Sequence, residues 1–404
     1  MEGRLDFVQA RRLLLERVGP VGEGEEELSR CAGRILARDV WARESVPAFD
    51  RSPYDGYAVC SADTKGAGKD SPVTLEVREE VPAGGVPGGP LAPGQAVKVA
   101  TGAPIPPGAD GVVMFERTSF TRERVTLFAP VKPGENIVRA GEDVKAGALL
   151  ARRGQLIDPG LAGTLAAQGI TRPALFRVPK IALLSTGSEL VEGEETPGPG
   201  MIRNANRYTL QAAIEAQGCE VVYWGIAPDR AGDIRELLER ALEECDGVVT
   251  TGGVSVGDWD LTPAAMEQAG VRLLFQGVDL KPGMACAYGM AGDKPVCALS
   301  GNPASAMTNF YAITMPALRK LAGWREPVPG EIDLKLPQGF PRSSRATRLL
   351  RGKLSLEGGQ ACIRLPAGQG NVMLSSAIGC DAMAIVPAGS GPVPPGAVLK
   401  GFLL

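Results

Sequence analysis

Gly247-Val-Val-Thr-Thr-Gly-Gly-Val-Ser-Val-Gly-Asp-Trp-Asp260 begins as an apolar, β-branched run and breaks abruptly into glycines, hydroxyls and carboxylates. A short apolar run stopped by glycine reads as a buried strand, and the polar stretch after it as the loop at its carboxyl end. The same texture recurs on both sides. Lys180–Ser185 ends in Ser185-Thr-Gly-Ser-Glu189, and Pro295–Leu299 ends in Leu299-Ser-Gly-Asn-Pro-Ala-Ser305. Between these runs lie helical patterns at Asn206–Gln217, Asp233–Glu244 and Thr262–Ala269, further strands at Glu220–Ile226 and Val271–Phe275, and a last helix opening at Pro303. Strands alternating with helices at this spacing predict a doubly wound, mostly parallel α/β sheet over residues 179–326.

Outward from this block the rhythm changes. Residues 327–404 return to short strands and Pro/Gly turns (Asp333–Leu336, Cys362–Leu365, Ala384–Val386), which predicts a C-terminal β domain of barrel-like type. Residues 47–138 have the same character, with short β-type runs at Val73–Val77, Val97–Val99, Gly111–Phe115 and Val125–Phe128. They read as an all-β domain inserted into a helical N-terminal domain made of residues 1–46 and 139–178. That domain is expected to hold two amphipathic helices at the start, one with Leu5, Val8, Leu15 and Val18 on a face and one with Leu28, Cys31, Ala32 and Ile35. A third runs from Asp158 to Gly169, with Pro159 at its first position.

Composition excludes several chemistries. The 404 residues contain no histidine, so there is no Ser-His-Asp triad, no His-ligated zinc and no imidazole base. Catalysis has to use carboxylates, hydroxyls, Lys, Arg, backbone amides and a hard metal ion. The eight cysteines are scattered without a Cys-x-x-Cys pair, which suits reduced thiols. With a net charge of −3, the chain has no general attraction for nucleic acid or anionic membranes. The first residues lack the basic and apolar regions of a signal peptide, and no apolar run reaches the ~20 residues of a membrane span. A cytoplasmic protein is expected.

Ligands of open α/β sheets bind at the carboxyl ends of strands, where the three unusual segments fall. Gly252 and Gly253 let backbone approach a phosphate, Thr186 and Ser255 add hydroxyls, and Gly257 extends the turn. Asp258, Asp260 and Glu189 are oxygen ligands of the kind Mg²⁺ prefers. Pro303 opens a helix whose amides, with Asn302 and Ser305, suit an anion. Lys281, in Leu280-Lys-Pro-Gly283, is a plausible fixed cation for an oxyanion, but a lone lysine is usually a solvated surface residue. The inserted β domain carries Phe49-Asp-Arg-Ser-Pro-Tyr-Asp-Gly-Tyr57, Ala100-Thr-Gly-Ala-Pro104 and the acid-rich Asn136–Asp143, each of which is also ordinary turn chemistry.

Seven ordered motifs resemble the MoeA-type molybdopterin molybdenumtransferases, including the E domain of gephyrin. They are Asp-Gly-Tyr-Ala (55–58), Thr-Gly-Ala-Pro (101–104), Arg-x-Gly-Glu-Asp (139–143), Ser-Thr-Gly-x-Glu-Leu (185–190), Gly-Gly-Val-Ser-x-Gly (252–257), Lys-Pro-Gly (281–283) and Gly-Asn-Pro-x-Ser (301–305). The resemblance implies a four-part subunit in an elongated homodimer, each active site facing the partner's inserted β domain. It implies insertion of molybdate into adenylylated molybdopterin with release of AMP, dependent on Mg²⁺. Other proteins of molybdenum cofactor biosynthesis, the molybdopterin adenylyltransferase among them, are the implied partners. By motif it assigns catalytic positions to Asp55, Thr101, Arg139, Glu189, Asp229, Asp260 and Lys281, the metal to Glu189, Asp229 and Asp260, and molybdate to Lys281, Asn302 and Ser305.

This chain departs from the pattern at three places. Met284 stands where many relatives have a second lysine, Asn371 where a bacterial relative has serine, and Ser-Pro-Tyr (52–54) where others read Ser-Ala-Met. Arg345, Arg348 and Arg351 match the family's arginine-bearing segment loosely, and one of them is expected to replace the lysine. Tungstate insertion, adenylylation of molybdopterin with ATP, and a scaffold without turnover are the competing readings; the first three motifs speak against adenylylation.

Overall fold

The computed structural model describes residues 4–255 and 261–404. The chain divides into two compact units: 1–38 with 153–158 and 172–404, and 39–152 with 159–171.

In the first unit, strands Lys180–Thr186, Glu220–Ala227, Gly247–Thr251 and Lys294–Leu299 form a parallel block. Ala287–Ala291 and Arg272–Gln276 add to its edge in antiparallel sense, giving a six-stranded sheet. The Ala287–Ala291 strand was not expected. The sequence of the central strands explains their place. In Ile181-Ala-Leu-Leu184, residues 181 and 183 enter one core and 182 and 184 the other, as the two-residue period of a strand requires. Both faces are therefore covered, as parallel sheets demand. Helix Ala231–Glu244 covers one face with Ile234, Leu238 and Ala241, spaced along one helical stripe. On the other face, Phe7, Ala10 and Leu14 of helix Phe7–Leu15 join Phe310, Ile313 and Leu318. Asp6 caps that first helix, accepting from the amides of Val8 and Gln9.

Residues 332–403 supply five strands that close on themselves, because Thr347–Glu357 pairs with both Gln360–Arg364 and Ala382–Val386. The barrel-like C-terminal domain is thus present. Leu349, Met383 and Phe402 extend it into the core beneath the α/β sheet. Leu280–Lys281 pairs in parallel with Thr347–Arg348, so a loop of the α/β block becomes an outer strand of the barrel sheet.

The second unit holds a six-stranded sheet built on Gly56–Val59, Val73–Val81, Gln95–Val99, Gly111–Met114, Thr118–Phe120 and Arg124–Leu127, the all-β module expected there. Helix Pro159–Ala167 belongs to this unit.

The helical character expected of the N-terminal region is weaker than the sequence suggested. Among the described residues only Phe7–Leu15 and Pro159–Ala167 are α-helices there. The second helix is absent: Leu28–Arg30 is a single 3₁₀ turn, and Ile35 is bridged to Leu156. Gly33, at φ +77°, stops the helical pattern that Leu28, Cys31 and Ile35 imitate. All eight cysteines are free and six are buried. No described helix is long and apolar enough to cross a membrane.

Candidate functional site

Three parallel strands of the first unit end side by side, and their loops are tied together. Gly252 donates to the Leu299 carbonyl (3.0 Å) and Thr251 Oγ1 to the Ser300 carbonyl (3.2 Å). Asn206 Nδ2 donates both to Thr251 Oγ1 (2.7 Å) and to the Gly301 carbonyl (2.8 Å). Gly252 has a packing reason of its own. At φ +102°, a Cβ there would stand 2.2 Å from the Thr186 carbonyl oxygen. The first glycine of the pair therefore lets two strand-end loops touch, before any ligand is considered.

Two clefts open beside these loops. They share Val254, Ser255, Ala285, Ser300 and Asn302. One, of about 560 Å³, is walled by Thr186, Gly252, Gly253, Glu189 and Asp229. Asp229 is fixed by a reciprocal pair: Ser188 N–H donates to its Oδ2 (2.9 Å), and its own N–H donates to Ser188 Oγ (3.0 Å). Among the described residues no three His, Cys, Asp or Glu converge on a metal position. Two carboxylates in one cleft nonetheless fit Mg²⁺, which keeps several waters and takes substrate phosphate oxygens. Asp260 and Gly257, assigned to this site on sequence, lie outside the described residues, as does Asp258.

The other cleft, of about 630 Å³, is walled by Lys281, Met284, Ser305, Asn371, Arg4, Arg342 and Arg348, and no described Asp or Glu lines it. Strand pairing sets Lys281 directly against Arg348. Arg348 Nε is buried without a hydrogen-bond partner among the described residues, and its guanidinium lies 5.4 Å from the centre of the Phe340 ring. Burial, then the neighbouring charge of Arg342, weakens its hold on the proton.

Of the three arginines expected to replace the missing lysine, the structure places one here. Arg351 is buried and donates to the carbonyls of Gly370 (3.2 Å) and Met373 (3.3 Å) and to Ser376 Oγ, which fastens the 369–376 loop. Arg345 is exposed and absent from the cleft wall. The helix N-terminus also differs from the sequence reading. The Ala304 amide is taken by the Asn371 carbonyl (3.0 Å), and the Ser305 and Ala306 amides by that of Asn302 (3.0 and 2.9 Å). The side chains of Ser305 and Asn302, rather than helix amides, are what the cleft offers. Arg4, Arg342 and Asn206 were missed on sequence; only spatial proximity marks them.

The other assigned residues lie in the second unit, where the structure gathers them. Asp55 accepts from the Thr101 amide (2.7 Å) and hydroxyl (3.0 Å), which hold its carboxyl below the usual carboxylate range. Arg139 pairs with Asp50 (2.5 Å), whose carboxyl is likewise held low by the Ala140 amide and then by Arg139. Arg51 bridges Pro104 and Val138, and the Gly102 amide donates to the Ser52 carbonyl. Segments 49–57, 100–104 and 136–143 therefore form one surface within that unit.

Two family models match successive parts of the chain. Residues 5–169 match the model of the MoeA N-terminal region (domain I and II), and residues 182–320 that of the probable molybdopterin binding domain. A molybdopterin molybdenumtransferase of Staphylococcus epidermidis is 36% identical over 364 residues, spanning 90% of this chain and 87% of that protein. The chain belongs to the MoeA family. A Staphylococcus aureus molybdopterin molybdenumtransferase is 34% identical over 366 residues, with the same coverage. Among solved structures, a molybdopterin biosynthesis MoeA protein of Pyrococcus horikoshii OT3 superposes with a TM-score of 0.86 at 31% identity over 100% of both chains. A second structure from that species gives 0.83 at 32%.

Proposed function

We propose that this chain acts in molybdenum cofactor biosynthesis, inserting molybdate into adenylylated molybdopterin with release of AMP in a Mg²⁺-dependent reaction. The observation that carries the proposal is the pair of adjoining clefts, one lined by cations without a carboxylate and the other by Glu189 and Asp229. Molybdate is a tetrahedral dianion, suited to Lys281 and Arg348, with Ser305 and Asn302 as neutral hydrogen-bonding partners. Thr186, Gly252, Gly253 and Ser255 line the neighbouring cleft, where the pterin phosphates would lie against backbone and hydroxyl groups. Glu189 and Asp229, with Asp260, would hold Mg²⁺, which when bound neutralises charge on a phosphoanhydride. The chain's own part is positioning and electrostatics. Lys281 and Arg348 fix the oxyanion, and Ser188 orients the Asp229 carboxylate. The shared loop at Ser300–Asn302 keeps the two reactants adjacent.

Asp55, Thr101 and Arg139 would serve the site of a second subunit in a homodimer. A four-part division at residues 46, 138, 178 and 326, a cytoplasmic location and functional contact with the molybdopterin adenylyltransferase belong to the same proposal.

The test is AMP release by purified protein given adenylylated molybdopterin, Mg²⁺ and molybdate or tungstate. We expect release that needs both the metal and the oxyanion, with no adenylylated product from ATP and metal-free molybdopterin. Adenylylation would reassign the chain to the preceding step, and the absence of any turnover would favour a scaffold role.

A further inference from the structure

We infer that Arg4 and Arg342 are oxyanion-binding residues: with Lys281 and Arg348 they complete the cation set that receives a tetrahedral dianion, and they set its affinity. The inference rests on the reading of the cation-lined cleft as the oxyanion site. Elsewhere in the molecule arginines close to carboxylates are paired, as Arg139 is with Asp50 and Arg207 with Glu192. None of the four cations in this cleft has a carboxylate partner among the described residues. Gathering like charges without a counterion costs free energy unless an anion completes the site.

Backbone contacts of its neighbour bring Arg4 to the cleft wall. Leu5 bridges Val278, and the Asp279 amide donates to the Leu5 carbonyl (2.8 Å), which leads the N-terminal segment to the cleft. Its guanidinium then uses space left by a missing side chain. A Cβ at Gly277 would stand 3.2 Å from Arg4 Nε and 3.4 Å from the Met284 carbonyl oxygen. Arg4 thus borders the turn that carries Met284, an uncharged residue of the same cleft wall. Arg342 reaches the opposite, barrel side of the cleft, near enough for its charge to act on Arg348. Two planar forks from separate segments can each give paired N–H donors to an oxyanion, which a lysine ammonium does only as a point charge.

Equilibrium dialysis of the full-length protein against molybdate, tungstate and sulfate at constant ionic strength tests this. Arg4→Gln and Arg342→Gln should each weaken molybdate binding about tenfold, the scale of one charge-assisted contact. The double variant should lose about a hundredfold if the two act independently. Adding Met284→Lys to the double variant should restore about tenfold, since it returns a cation to the same wall. Arg30→Gln, an exposed arginine off the cleft, should change affinity less than twofold, roughly the scale of a screened surface charge. Thermal unfolding should be unchanged in the two single variants, because both side chains are exposed. Wild-type affinity in the double variant, or an equal loss in Arg30→Gln, overturns the inference while leaving the function above in place. If the wild-type chain takes up neither molybdate nor tungstate, the cleft reading and this inference fail together.

Discussion

The two clefts meet along one strip of backbone, yet they are opposite in charge. On one side of Ser300–Asn302 stand Arg4, Lys281, Arg342 and Arg348; on the other stand Glu189 and Asp229. Had the acids and bases shared a wall they would have paired, as Asp50 and Arg139 do. Kept apart, each set retains its field for something from outside. The separation has a cause in the chain. The acids sit in loops at the ends of Lys180–Thr186 and Glu220–Ala227, at one edge of the parallel block. Three of the four cations come from the N-terminal segment and the barrel, and Lys281 from the strand the α/β block lends to the barrel. Sorting of charge follows from topology.

That contrast is most sharply tested by removing the metal. Chelation should lower AMP release on the order of a hundredfold or more, since charge neutralisation by a divalent ion is worth several kcal/mol. Molybdate retention in the dialysis measurement should hardly change. If chelation weakens molybdate binding as strongly as turnover, the two clefts do not divide the work. The converse is Lys281→Ala, expected to weaken molybdate binding by about tenfold to a hundredfold, the range for a charged hydrogen bond. Affinity for adenylylated molybdopterin without molybdate should stay within about threefold, because the lost side chain does not line the cleft of Glu189 and Asp229. Equal losses for both ligands would place Lys281 on the pterin phosphates instead.

Arg351 bears on the contrast indirectly and also marks the limit of what could be read beforehand. The alternating α/β rhythm and the barrel-like ending were legible, because buried strands leave a two-residue period and glycine turns in any sequence. The glycine loop was legible as a site, but not Gly252's contact with the Thr186 carbonyl, which joins residues far apart in the chain. The second N-terminal helix failed for a local reason. Leu28, Cys31 and Ile35 mimic a helical stripe that Gly33 interrupts in the left-handed region. The cation set was the least legible part. Arg4 and Arg342 enter the cleft through a lone bridge and a barrel loop, neither of which has a periodic signature. Arg351 looked like Arg348, yet it supports the loop bearing Asn371 rather than facing the cleft. Arg351→Ala should therefore lower stability by about 1–3 kcal/mol in urea unfolding, through carbonyls left without a donor. Any loss of molybdate affinity should be smaller than in Lys281→Ala. A large affinity loss at unchanged stability would make Arg351 a ligand after all.

The smallest effect is expected at Arg345, and the reason lies in strand geometry. Arg348 and Arg351 are three residues apart in Thr347–Glu357, so a period of two sends them to opposite faces. One face meets Lys281 across the parallel pairing, and the other turns toward Ser376. Arg345 precedes the strand, just after Ser344, whose amide is bonded to the Ser390 carbonyl (2.9 Å), and its side chain is exposed. Its charge is then screened by solvent and adds little at the cleft. Arg345→Gln should change molybdate affinity less than about twofold, a few tenths of a kcal/mol. Arg348→Gln, measured beside it, should lose at least about tenfold. Were the two equal, exposure would not separate Arg345 from Arg348, and the claim that one wall of one cleft holds the oxyanion would fail.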